Sequence, residues 1–129
     1  MKFMPVIFLF MMMITLLSAH PGQVVSDFEA PGKFCTGLTY DGKYLWAADY
    51  QKDMLMALDP ASGRKVREIP SPGFWPMGMA WDGKYLWNLD GKQNKIFQLD
   101  PKDGTVLRVL ESPGSSPEGL TWDGSTLWV

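Results

Sequence analysis

The string Trp81-Asp82-Gly83-Lys84-Tyr85-Leu86-Trp87 recurs upstream as Tyr40-Asp41-Gly42-Lys43-Tyr44-Leu45-Trp46 and downstream as Trp122-Asp123-Gly124-Ser125-Thr126-Leu127-Trp128. The aspartates fall at 41, 82 and 123, a constant step of 41 residues, and no gap is needed between the copies. Pro31-Gly32, Pro72-Gly73 and Pro113-Gly114 keep the same step, as do Asp59-Pro60 and Asp100-Pro101 with Gly63 and Gly104 behind them. A chain of this kind is a row of copies of one unit, so the fold of the unit dictates the architecture of the whole. The units run over residues 31–71, 72–112 and 113–129, the last one incomplete, after a leading stretch at 1–19 and a polar lead-in at 20–30.

Within the first unit, Gly37-Leu38-Thr39-Tyr40 is a short strand pattern, and Asp41-Gly42 is a two-residue hairpin signal, because glycine tolerates positive φ and aspartate does so better than most residues. A second strand over 44–48 is then antiparallel to the first. Residues 49–53 make a polar turn and 54–58 a third strand. In the next turn Pro60 presets φ and Gly63 is placed for a left-handed conformation, after which 64–69 forms the fourth strand. The lead-in carries one candidate extra strand at 24–28. Four short antiparallel strands in a 41-residue repeat are the pattern of a β-propeller blade, an all-β fold that needs no helix.

Strand polarity follows the expected position in a blade. Gly78-Met79-Ala80 is small and apolar, as an innermost strand near a crowded axis must be, and Arg64-Lys65-Val66-Arg67-Glu68 is charged, which discourages pairing at an outer edge. The middle strand Lys95-Ile96-Phe97-Gln98-Leu99 carries apolar groups on both faces because other blades flank it. Trp46, Trp87 and Trp128 close the second strand of each unit. Burying an indole removes about 150–250 Å² from water, of order 4–6 kcal/mol gross, enough to make these residues inter-blade packing and not a sugar platform. Asp41, Asp82 and Asp123 belong to different blades, so each serves its own hairpin and the three do not form a metal site.

Composition narrows the partners. With a formal net charge of -2 and no run of Lys or Arg, the chain has no electrostatic footprint for nucleic acid or anionic lipid. His20 is the one histidine, so these residues hold no histidine triad or histidine metal cluster, and no phosphate-binding glycine loop occurs; no cofactor is expected. Cys35 is the only cysteine and is expected as a small apolar filler where a strand enters the core. Lys2 followed by an uncharged apolar run over 3–17 has the layout of a secretory signal cleaved after Ala19, with an uncleaved anchor as the alternative. Either way the repeats are expected outside the cytoplasm, secreted or periplasmic, with no membrane contact beyond that segment.

The pattern Pro-x-Gly-[Leu/Met]-[Thr/Ala]-Trp-Asp-Gly-x-x-Leu-Trp followed by Leu-Asp-Pro-x-x-Gly resembles the propeller superfamily of YVTN-type repeats, streptogramin lyases, gluconolactonase-like proteins and plant-type glutaminyl cyclases, over residues 31–129. WD-repeat proteins differ, because there the Trp-Asp pair closes a third strand and here it precedes the first hairpin turn. Pro117-Glu118-Gly119-Leu120-Thr121 is also similar to the Glu-Gly-Leu segment that carries the catalytic carboxylate of plant-type glutaminyl cyclases. That resemblance implies a general acid/base role for Glu118, at the mouth of an axial funnel. Ser116-Pro117 replaces the aromatic lead-in of those enzymes, and the position of Glu118 itself varies, being Thr36 and Met77 in the first two units.

Framework positions repeat while residues 74–77 (Phe-Trp-Pro-Met) and 115–118 (Ser-Ser-Pro-Glu) diverge, the behaviour of a common scaffold with one differentiated face. Thr36, Phe74, Trp75, Met77 and Ser116 are the candidate residues of that face. The expected function is a binding or scaffold propeller that recognises a ligand or partner domain, with a propeller enzyme of cyclase or lyase/lactonase type as the alternative. Propellers close with four to eight blades, so the repeat count predicts further blades from a longer chain, or from self-association of several chains.

Overall fold

The computed structural model describes residues 20–129, and the expected signal segment at 1–19 lies outside the described residues. Ten strands form three antiparallel sheets, and the described residues contain no helix. Strands β1 (Cys35–Tyr40), β2 (Leu45–Asp49), β3 (Met54–Leu58) and β4 (Lys65–Pro70) pair in that order. Strands β5 (Pro76–Trp81), β6 (Leu86–Asp90), β7 (Lys95–Leu99) and β8 (Val106–Glu111) repeat the arrangement, and β9 (Thr121–Trp122) pairs with β10 (Leu127–Trp128). The left-handed glycines expected in the turns are there, with φ of 93° at Gly42 and 69° at Gly63.

The first strands of successive blades lie side by side, so β1, β5 and β9 form the inner edge. Their closeness explains the small residues: a Cβ on Gly37 would collide with the Met77 carbonyl, and one on Gly78 with the backbone of Leu120. Thr36 ties two inner strands together, its hydroxyl donating to the Pro76 carbonyl at 2.6 Å. Pairing slips by a bulge between Cys35 and Leu38, and again between Pro76 and Met79. Bulges of this kind re-aim side chains, and here they fall on Thr36 and Met77.

The core is laminated between blades. Trp46, Ala48, Leu55, Ala57 and Ile69 of the first sheet pack on Met79, Leu86, Phe97 and Leu99 of the second. On the far side of the second sheet, Ala80, Trp87, Leu89 and Ile96 pack on Leu120, Trp122 and Leu127 of the third. Trp46 and Trp87 are therefore inter-blade residues, whereas Trp128 is 58% exposed. Arg67 stacks over the Trp46 ring at 5.1 Å and adds a cation–π contact to that layer.

Besides the exposure of Trp128, which has no further blade against it among the described residues, three details differ from the reading of the sequence. Residues 24–28 form no strand; Val24 and Val25 lie open to solvent, and the lead-in crosses the free face of the first sheet with Phe28 packed on Gly63. Cys35 is exposed. Its repeat equivalents Pro76 and Pro117 are buried against a preceding blade, and among the described residues only the lead-in precedes Cys35. Burial is still enough to raise its thiol pKa, and Sγ donates weakly to the Gly32 carbonyl at 3.5 Å. The charged outer strand holds for β4 but not for β8, where Val106, Leu107, Val109 and Leu110 are all exposed.

Candidate functional site

Antiparallel pairing gives each blade two ends. The β1–β2 and β3–β4 turns share one, the hairpin end. The β2–β3 turn and the crossing into the next blade share the other, the crossing end. Both are organised by aspartates, used differently.

At the hairpin end one latch is repeated three times. Asp41 Oδ1 accepts from the backbone N–H groups of Lys43 and Tyr44 at 2.7 and 2.6 Å, while its Oδ2 accepts from the Trp46 indole N–H at 2.7 Å. Asp82 does the same with Lys84, Tyr85 and Trp87 at 2.9, 2.7 and 2.8 Å. Asp123 does so with Ser125, Thr126 and Trp128 at 2.8, 2.8 and 2.7 Å. Burial disfavours the charge on Asp41 and Asp82, but the N–H groups of the turn and of the indole outweigh it and hold both carboxyls below the ordinary range. At Asp123 the indole N–H of Trp128 leads and the carboxyl is again lowered. With both oxygens engaged in every copy, these three latches offer no spare carboxylate. Among the described residues no cluster of His, Cys, Asp or Glu is arranged to hold a metal.

The crossing end is built on Asp49 and Asp90, both fully buried at the end of β2 and β6. Asp90 Oδ1 accepts from Lys92 N and Gln93 N at 3.0 and 2.6 Å, and Asp49 Oδ1 from Gln51 N and Lys52 N at 3.0 and 3.1 Å. The free oxygens diverge. Asp90 Oδ2 accepts from the backbone N–H of Trp75 at 2.8 Å, pinning the loop that crosses into the second blade. Asp49 Oδ2 has no hydrogen-bond partner, and Lys52 Nζ stands 3.9 Å away. Gly73 is required here, because a Cβ at that position would overlap the Asp90 carboxylate. Sequence reasoning placed residues 49–53 in a plain polar turn; the signal it passed over was the recurrence of Asp49 at Asp90, one repeat later.

On this framework the loops present unlike side chains. Phe74 is 59% and Trp75 50% exposed, with Lys92 Nζ over both rings at 5.4 and 5.9 Å. Tyr50 is exposed and meets Phe34 edge-on at 5.4 Å. Two open clefts adjoin, of about 320 and 230 Å³: Tyr50, Trp75 and Met77 line the first, and Trp75 and Met77 continue into the second, which Ser116, Pro117 and Glu118 complete. Ser116 adopts φ 56° and its N–H is held by Asn94 Oδ1 at 3.2 Å. Phe74, Trp75, Met77, Ser116 and Glu118 thus share one end of the molecule. Thr36 also belongs to the inner edge, with its hydroxyl committed to Pro76. A larger hollow of about 430 Å³ lies elsewhere, beneath the lead-in on the free face of the first sheet.

No protein-family description matches the sequence, and no curated protein does. Solved structures do. Virginiamycin B lyase from Staphylococcus aureus is 23% identical with a TM-score of 0.61, over 80% of this chain and 36% of that one. Glutaminyl cyclase of Myxococcus xanthus is 17% identical with a TM-score of 0.58, over 67% of this chain and 45% of the enzyme. The Cps50 (Swd1) β-propeller domain of Myceliophteria thermophila is 17% identical with a TM-score of 0.54, over 72% of this chain and 31% of that domain. The chain spans less than half the length of each of these structures. The likeness establishes the fold: the three sheets are blades of a β-propeller repeat.

Proposed function

We propose that this chain is an extracytoplasmic propeller module whose crossing end binds a ligand or partner domain. One observation carries the reading: Trp75 is half exposed, yet its backbone is fastened to the fully buried carboxylate of Asp90. Exposed aromatics held rigidly beside a groove are the usual anchors of recognition, because little rotamer entropy is lost when they bind. At the hairpin end the polar groups of the three latches, each an aspartate and its indole, are already satisfied by one another. Secretion or periplasmic export rests on the apolar run at 3–17; amino-terminal sequencing of the exported protein should begin at His20.

The test of the binding face is Trp75→Ala. It should shift stability by no more than about 0.5 kcal/mol, as surface changes do, and remove ligand-induced amide shifts at Tyr50, Phe74 and Met77 in a fragment screen. Fragments that cluster instead at the Asp41 and Asp82 turns would overturn the assignment.

A second reading is favoured by Glu118, an exposed carboxylate in the groove wall. If the module belongs to a cyclase such as the glutaminyl cyclase it resembles in fold, Glu118 is the general acid/base. Glu118→Gln would then lower turnover of an amino-terminal glutaminyl peptide by roughly 10²–10⁴-fold without loss of fold. Absence of that turnover in the unmutated protein removes the enzyme reading and leaves the binding face in place.

A further inference from the structure

We propose that the groove running from Tyr50 to Glu118 takes an organic cation, an ammonium group on a compact apolar stem. The inference rests on the crossing end being the binding face and adds the chemistry of what binds there. Tyr50, Trp75 and Met77 make one stretch of the groove wall, an aromatic and thioether surface open at the top. Trp75 and Met77 continue into the next stretch, where Glu118 is the one charged side chain in the lining and Ser116 and Pro117 supply the rest of the loop wall. An aromatic wall adjoining a carboxylate attracts a cation twice, through the negative ring face and through the opposite charge.

The other charges at this end sharpen the choice. Lys92 does not line the groove; it lies over the Phe74 and Trp75 rings. Lys52 is drawn toward the buried Asp49. Lys33 and Lys95 also stand at this end, but none of the four lysines lines the groove, and an anion there would face Glu118. A neutral apolar ligand would cover the Glu118 carboxylate without giving it a partner, which is unfavourable for a charged group. A ligand that carries its own positive charge on an apolar stem satisfies both stretches of wall at once.

The experiment titrates the full chain with benzyltrimethylammonium, benzylammonium, benzyl alcohol and benzoate, reading the Trp75 indole N–H by NMR after assignment with Trp75→Phe. Both ammonium probes should bind at least about tenfold more tightly than the alcohol or the benzoate. Glu118→Gln, an exposed change that keeps the amide spectrum intact, should weaken the ammonium probes about tenfold and leave benzyl alcohol unchanged. Benzoate or benzyl alcohol binding as tightly at Trp75 would overturn the ligand class while upholding the face. Indifference of the ammonium probes to Glu118→Gln, or no ammonium binding into the millimolar range, overturns the proposal as well. Shifts confined to the hairpin turns would overturn the face itself.

Discussion

The two ends of the blades use the same residue type to opposite purposes. At the hairpin end Asp41, Asp82 and Asp123 each hold two turn N–H groups and one indole, in three copies whose hydrogen bonds differ by no more than a few tenths of an ångström. At the crossing end Asp49 and Asp90 begin alike, each capping its β2–β3-type turn, and then part: one spare oxygen anchors Trp75 and the other accepts no hydrogen bond, with only the Lys52 ammonium nearby. A repeat protein needs identical joints wherever blade meets blade, because each indole must fill the same slot against its neighbour. It needs no identity where a loop meets solvent, and there the copies are free to diverge. The repeated joints are thus concentrated at one end, and the other is where the proposed recognition face lies.

The sharpest way to break this comparison is Trp87→Ala. Trp87 is buried between the second and third blades and latched to Asp82. Its loss should cost about 3–5 kcal/mol, the range for large core truncations, measured by denaturant unfolding. Trp128→Ala should cost far less, since that indole is 58% exposed despite an identical latch. Equal losses would mean that the latch, and not the inter-blade burial, supplies the stability.

A smaller effect separates the carboxylate from the turn it serves. The pKa of Asp82 is lowered in the folded protein, so its contribution is present above the unfolded value near about pH 4 and is lost as pH falls through the folded value. Asp82→Asn keeps an acceptor for Lys84 N and Tyr85 N but sets an amide against the Trp87 N–H. The variant should be about 1–3 kcal/mol less stable at pH 7 and should lose less further stability below about pH 4 than the unmutated protein. Superimposable pH profiles would show that the negative charge at the hairpin end is incidental.

How much of this was legible beforehand divides along the same line. The blade pattern, the turn glycines and the inter-blade role of Trp46 and Trp87 follow from a repeat whose period appears three times. The third strand, at 54–58, is found where the alternation of turns placed it, and the others lie within two residues of expectation. What did not show was whatever lacks a neighbour in the repeat. Cys35 is exposed because, among the described residues, the lead-in and not a blade precedes it, and that lead-in runs across the first sheet without joining a strand ladder. The pinning of Trp75 by Asp90 was also hidden. It joins positions 15 residues apart across a crossing loop, and its counterpart in the first blade is not made.

The smallest expected effect concerns Thr36, which stands on the boundary between the two behaviours. It occupies the same repeat position as Met77 and Glu118, both groove residues, but its hydroxyl donates to the Pro76 carbonyl and so joins the first inner strand to the second. Thr36→Val keeps the β-branched shape and removes the donor. The cost should be about 0.5–1.5 kcal/mol, the net value of one such bond with the carbonyl left to find water, and Thr36→Ser should recover most of it. Affinity for any crossing-end ligand should stay within about twofold for both variants, because the hydroxyl is already engaged. A loss of affinity with unchanged stability would transfer Thr36 to the recognition surface and extend the groove across the first blade. The opposite result makes Thr36 a strut, and shows that one repeat position can serve the joint in one blade and the ligand face in the next two.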